Sequence, residues 1–322
     1  IRFLLLTVYP EAAIVVLDVT IIEDAHGERI RQQVQERTSL NAAHVTVCAI
    51  QTHSAPCTQE VWGWCELDHD YVDRVMIPGA VEAVLRAHAK PVPVRVGIAT
   101  VESHVGVNRR QLLTDHSIGL GVNPWGIYDP TMTVLRFEAA QGTLANVVHY
   151  GAHPTVLSTE SRLISRDWPG VMIDRVEQLT KAPTIFINGA VGDIAPRTNA
   201  MAAVGDGELA LMEAGATAAV DAMRAWRSVK DLRDLCLHTM VGHFELPYQP
   251  LTAPATAKQN LSACEPRKDE PGAGMCEFKH WQAVIKAHDE PVKTGKPYHQ
   301  IITALGPVAF VPFSGEPFGE TV

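Results

Sequence analysis

The sequence predicts an α/β fold: a mixed β-sheet core with helices on both faces, forming one large domain with an irregular excursion. Three observations predict it. Short apolar, β-branched runs alternate with amphipathic helical patterns through the first half of the chain, the order expected of βαβ units. The 322 residues, 46% hydrophobic and 20% charged, suit a globular protein with ample core. Several apolar runs end in a polar residue able to do chemistry, and strand ends are where sites assemble in open α/β sheets.

Taken in order, residues 1–22 are apolar but hold Pro10, Glu11 and Asp18. A bilayer span needs about 20 nearly uncharged residues, so two strands around a turn at Tyr9-Pro10-Glu11 are expected, with 14–19 as the second and no transmembrane segment. Residues 28–38 read as a helix and 45–50 as the next strand. Residues 71–88 place Val72, Val75, Met76, Ala80, Val84 and Leu85 near the 3.6 period of an amphipathic helix. Residues 94–101 follow as a strand, and 131–137 with 144–149 as a hairpin through Ala140-Gln141-Gly142. A helix is expected over 168–179, with Asp167 as N-cap and Pro169 in its first turn. After it come a buried strand at 184–187 and an Ala-rich helix at 208–225. Later strands are expected at 236–246 and 301–311. Between 247 and 297 the composition shifts to Pro, Lys, Glu and Gly. That stretch reads as an excursion or cap, with helical pattern only near 278–288.

A net charge of −9 excludes non-specific nucleic-acid binding, which needs a basic face. The six cysteines form no CxxC pair. Cys48 reads as a buried thiol; Cys57 with Cys65, or Cys264 with Cys276, would pair in an oxidising compartment. No Gly-x-Ser-x-Gly elbow is present. Cys57 near His53 is a conceivable nucleophile pair. The Gly-rich run 189–193 lacks the lysine of a phosphate loop and is expected to pack closely beneath a site. The first residue is not Met and the pattern breaks off at Val322, so we read the chain as part of a longer protein.

Three stretches follow apolar strands: Gln51-Thr52-His53-Ser54-Ala55-Pro56, Tyr150-Gly151-Ala152-His153-Pro154-Thr155 and Pro312-Phe313-Ser314-Gly315-Glu316-Pro317. His and Glu are zinc ligand types, and a catalytic zinc keeps one position open for water. Gln51 and His53 are two apart and would share one side of a strand. Asp18 ends a strand and is placed to orient a histidine. His149 reads as a packing residue. Arg109 and Arg110 fall in an expected polar loop after Asn108.

These pieces resemble the neutral/alkaline (non-lysosomal) ceramidase family. That family carries Thr-His-Thr-His-Ser-Gly-Pro at the first stretch, His-Pro at the second and a Gly-Glu turn at the third. It also has Asn-Arg, as at Asn108-Arg109, then Asp-(aromatic)-Pro-Gly, as at 167–170, and Asn-Gly-Ala-x-Gly-Asp-x-x-Pro, as at 188–196. Order and spacing agree over roughly residues 11–320. The resemblance implies a zinc-dependent hydrolase of an acyl amide, acting on a small, lipid-like molecule. It implies His153 and Glu316 as metal ligands and Arg109 as the cation facing the reacting centre. Gln51 stands where the family has a ligand histidine, and an amide is a poorer zinc donor. His53 either keeps its place beside the bound water as a catalytic group or moves onto the metal in place of Gln51. A family serine falls on Ala195, and the family's zinc-binding tyrosine would fall beyond Val322.

Overall fold

The computed structural model describes residues 2–6, 11–60, 65–157, 161–198, 207–270, 273–291 and 294–321. Strands β1 (Arg2–Leu6) and β2 (Ala12–Leu17) pair antiparallel, and β3 (Val45–Ala49) joins β2 in parallel. The turn expected at 9–11 lies partly outside the described residues. All six residues of β2 are buried, which marks a strand covered on both faces. Its alternate side chains serve two cores. Ala13, Val15 and Leu17 meet Ile30 and Val34 of α1 (Asp24–Arg37) and Ala80, Val81 and Val84 of α2 (Ile77–His88). Helix α2 continues a π turn at Val72–Met76, so the expected helix is present with an irregular first half.

Ala12, Ile14 and Val16 face the other way, into a larger core. That core is built on a second sheet of β4 (Arg95–Glu102), β7 (Thr131–Ala139), β8 (Gly142–Tyr150) and β9 (Thr184–Asn188), in the order β4-β7-β8-β9. Its outer face is covered by α3 (Asp167–Thr180) and α4 (Gly207–Ser228), which also pack on each other. Trp168, Phe186 and Tyr150 are fully buried there. Trp168 meets both other rings edge-on, an arrangement worth about 0.5–1.5 kcal/mol per pair beyond burial. The α/β class and the helices on two sides are as expected. The mixed β-sheet core is also as expected, divided between sheets that each combine antiparallel and parallel pairs and each have their own helical cover.

The expected polar loop at Arg109 and Arg110 is a strand. β5 (Gly106–Leu112) pairs with β6 (Ile118–Asn123) and with the short β10 (Ile194–Pro196). The single strand expected at 301–311 is two. The ribbon β11 (Leu237–Pro247) with β12 (Gly295–Leu305) turns at Gly306 into β13 (Val308–Phe310). Gly306 has φ +57°, a left-handed value that a side chain resists. The excursion is not irregular either. Helices α5 (Pro254–Cys264) and α6 (Ala273–Ala287) pack against each other at the far end of the ribbon.

Candidate functional site

Four chain segments deliver side chains to one crevice at the strand ends. The first leaves β3. Ile50 N–H donates to Leu17 O and Gln51 N–H to Val19 O, both at 3.0 Å. Gln51 then takes φ +69°, so Gln51 and His53 do not share the face of a strand as the spacing predicts. The buried hydroxyl of Thr52 donates to Ser165 O at 2.7 Å, and His53 N–H donates to Pro154 O at 3.3 Å. The loop is therefore pinned to the second segment, which carries His153.

His153 follows β8 and is 1% exposed. Its carbonyl accepts from the Trp168 indole at 3.1 Å, and its Nδ1 lies 3.0 Å from Ile194 O. A carbonyl only accepts, so Nδ1 carries the proton. Nε2 points into the crevice, 3.4 Å from Glu316 Oε2. The third segment is β5. Its register with β6 shifts between Asn108 and Arg110, and such irregularities re-aim side chains beside sites. Arg109 Nη2 donates to Gly192 O at 3.0 Å and stands 3.4 Å from His153 Nε2 and 3.9 Å from Glu316 Oε2.

The fourth segment, after β13, brings Glu316. Gly192 N–H donates to Pro317 O at 3.0 Å. A Cβ on Gly192 would lie 2.7 Å from Glu316 O, so only glycine admits this approach. The Gly-rich run packs beneath the site as expected. Asp193 goes further than expected. Its buried carboxylate accepts from Asn108 Nδ2 at 3.0 Å and from Gly319 N at 2.8 Å, and its carbonyl accepts from Arg109 N at 2.7 Å. One residue thus ties the arginine strand to the glutamate loop. Its signals in the sequence were its place after the Gly-rich run and its match to the Asp of the family motif at 188–196.

The Gln51 amide nitrogen donates to Glu316 Oε1. The rings of His53 and His153 lie 5.8 Å apart, edge-on. Removal from water, then the neighbouring charges of His153 and Arg109, bring the His53 pKa down to about 4, against a partial rise from Glu316. His53 opens to solvent on one side yet is neutral near pH 7. The hydrogen bond from His153 holds the Glu316 carboxyl below its ordinary range; burial opposes this, and the charges of His153, Arg109 and His53 add to it. Burial lowers the Arg109 pKa, while Glu316 and Asp193 raise it.

With its single proton on Nδ1, His153 would face Glu316 lone pair to lone pair. The Arg109 guanidinium, 3.4 Å from Nε2 and 3.9 Å from Glu316 Oε2, puts a positive charge beside both, and a metal ion between them would do the same. The tie of Nδ1 to a backbone carbonyl is the one metal-bound histidines use. His153 Nε2 and Glu316 Oε2, 3.4 Å apart, are the two strong donors that would hold a divalent cation if one bound here. Among the described residues no group of three or more His, Cys, Asp or Glu converges on one point. The Gln51 amide, turned to present its oxygen, or the His53 ring is what remains for a third donor.

Other expectations need correction. Cys57 is joined to Cys65 in a disulfide, so it is no nucleophile for His53. Cys48, expected as a buried thiol, is partly buried and packs against the larger core; desolvation pushes its pKa up to about 12. Cys264 and Cys276 are unbridged. Asp18 lines a cavity with Tyr71 and Arg166, and for His153 the orienting partner is the Ile194 carbonyl. Asp167 does not cap its helix from the N-cap position. With φ +56°, its carboxylate binds the N–H groups of Val156, Leu157 and Trp168. His149 lies in β8 with Nε2 against Gly189, as a packing residue.

Beyond Arg109 a shallow cavity of about 390 Å³ is lined by Arg110, Ile118, Leu120, Gly192 and Phe318. The same hairpin leaves Leu112, Ile118 and Leu120 exposed, and Trp125 just past it is 92% exposed. An apolar surface therefore meets the site on the arginine side.

No protein-family model and no curated protein sequence matches the chain. Solved structures do. The neutral ceramidase from Pseudomonas aeruginosa superposes with a TM-score of 0.65 at 14% identity, over 94% of this chain and 54% of that one. A ceramidase complexed with C2 gives 0.68 at 16% identity, over 95% and 55%. The chain spans about half the length of these structures. It has the ceramidase fold, in a sequence far diverged from both.

Proposed function

We propose that the crevice hydrolyses an uncharged acyl amide of lipid-like character, in the manner of a ceramidase. One observation carries this reading. Imidazole, carboxylate, guanidinium and amide from four distant segments meet within 3.9 Å, at the strand ends of a ceramidase fold. A divalent cation, zinc by the family resemblance, would be held by His153 and Glu316, with Gln51 or His53 as third donor. When bound, such an ion lowers the pKa of water and polarises a carbonyl.

The remaining steps belong to the chain. Where Gln51 is the third donor, neutral His53 is left free to accept a proton from the attacking water and return it to the leaving nitrogen. Arg109, fixed by Gly192 O, faces the oxygen on which negative charge develops. The apolar strip of Ile118, Leu120 and Phe318 receives the acyl chain. It bars neither amides nor esters, but it offers nothing to a polyanion beyond the two arginines.

A second reading has its own observation. Gln51 replaces an imidazole, and its amide already donates to Glu316. A protein that uses the crevice only to bind would look the same. Release of fatty acid from N-acyl amides of graded chain length, with and without chelator, separates the two. Metal-dependent turnover that His153→Ala abolishes together with bound metal supports hydrolysis. Metal uptake without turnover of any acyl compound favours binding, and activity confined to phosphate esters refutes the substrate class.

A further inference from the structure

The ribbon β11–β12 carries two histidines directly opposite each other, away from the crevice. His243 pairs with His299 in the register, and both are exposed. Their ring centroids lie 4.5 Å apart at an interplanar angle of 84°. A zinc–imidazole bond of about 2.0–2.1 Å puts an ion about 3.2 Å from a ring centroid, so two rings sharing one ion stand roughly 5 Å apart. Little rotamer adjustment separates the observed pair from a chelate. The edge-on contact alone is a modest stabilisation, and the same placement presents two imidazoles to one ion. Glu245 follows two residues along on the same face, its Oε1 accepting from the Thr294 hydroxyl at 2.8 Å. It adds negative charge diagonally from His299.

We propose that His243 and His299 form a separate, solvent-open site for a transition-metal ion that favours imidazole: zinc, nickel or copper(II). With two protein donors, water fills the other positions. Calcium and magnesium, which take oxygen ligands, are not bound there. The ion cross-links β11 to β12 where that matters for the crevice. The neighbours of His299 point to the opposite face and hold the loop leading to Glu316. Tyr298 Oη donates to Pro312 O at 3.0 Å and accepts from Ser314 N at 2.6 Å, and Gln300 Nε2 donates to Pro312 O at 2.8 Å. Binding stiffens the anchor of that loop.

The proposal stands independently of the reading of His153 and Glu316. The test titrates the whole chain with Ni²⁺ by calorimetry and repeats its thermal melt with and without the ion. His243→Gln and His299→Gln, both on exposed residues, should melt like the parent without metal. Each alone should remove the same one ion and the metal-induced rise in Tm. Loss of even an outer partner of a ligand costs about 10–100-fold in affinity, so loss of a ligand should cost no less. His153→Ala should retain this ion, which separates it from the crevice. Mg²⁺ should give no rise. The proposal is overturned if the parent takes up no Ni²⁺, if both variants bind as the parent does, or if only one of them loses the ion.

Discussion

At Gln51 the backbone adopts φ +69°, a conformation that costs an ordinary side chain roughly 1–2 kcal/mol. The surroundings hold it there, through Val19 O behind and the pinned Thr52 ahead, and the result is an amide delivered to Glu316. An imidazole from the same position would replace a weak donor by a strong one. Gln51→His is therefore expected to tighten zinc binding by about 10–100-fold, read by competition with a chromogenic chelator. Unchanged affinity would mean that His53 already serves as third donor. Asp167 makes a different residue-scale case. It is 1% exposed, and its two oxygens serve three backbone N–H groups. Those bonds offset the burial that raises its pKa. In Asp167→Asn an NH₂ must face one of those donors, leaving a buried N–H unpaired. The expected loss is about 1–3 kcal/mol in urea unfolding. An unchanged midpoint would show that the 156–157 loop does not depend on this carboxylate.

Strand β7 shows how a charged pair serves an element. Arg136 lies over the Trp226 ring of α4, 4.3 Å from its centroid, and its Nε donates to Glu138 at 2.7 Å. That bond leads the causes holding the Glu138 pKa below 4.5; burial opposes it and Thr143 adds to it. A folded-state value below the unfolded one contributes stability in full above 4.5, and that contribution fades as the pH falls through the lower value. Glu138→Gln should cost about 0.5–1 kcal/mol at about pH 6 and less at a pH well below 4.5. Melts at both values check this, and an equal loss at both would contradict it. The helical pair α5–α6 gives the opposite expectation. It packs on itself at the outer end of β11–β12, so replacing it with a short turn should leave metal content and the core melt nearly unchanged. A collapse of either would place it in the core. Elements with strong periodicity, such as α2 and the β7–β8 hairpin, were legible in the sequence. β5 was not, because Arg109, Arg110 and Gln111 break any alternation, and of its two apolar side chains Val107 is buried while Leu112 faces solvent. The break at Gly306 was hidden by apolar residues on both sides of a two-residue turn. The meeting of His153 and Glu316 was legible because each follows an apolar run, whereas the contacts of Asp193 and Asp167 depend on backbone groups that no spacing reveals.

The split of the core into two stacked sheets could not be read from β2, because an unbroken run of buried apolar residues is the same whether one sheet or two lie beside it. That strand nevertheless governs how the molecule should unfold. Ala13, Val15 and Leu17 complete the core under α1 and α2, while Ala12, Ile14 and Val16 complete the core around Trp168. Neither core can open without exposing one face of β2, and β2 is also the strand that aligns β3 and hence Gln51. The two cores should therefore unfold as one cooperative unit, even though each has its own helices. Ile30→Ala places a cavity in the α1–α2 core, at a residue with no exposed surface, and should cost about 2–5 kcal/mol. If the cores are coupled through β2, hydrogen exchange in β8 and β9 should accelerate by the same free energy as exchange in β2 and β3. Protection of β8 and β9 that stays at the parent level would separate the molecule into two foldons. His153 would then sit on the stable half and Gln51 on the labile one, and the completeness of the site would depend on the weaker core alone.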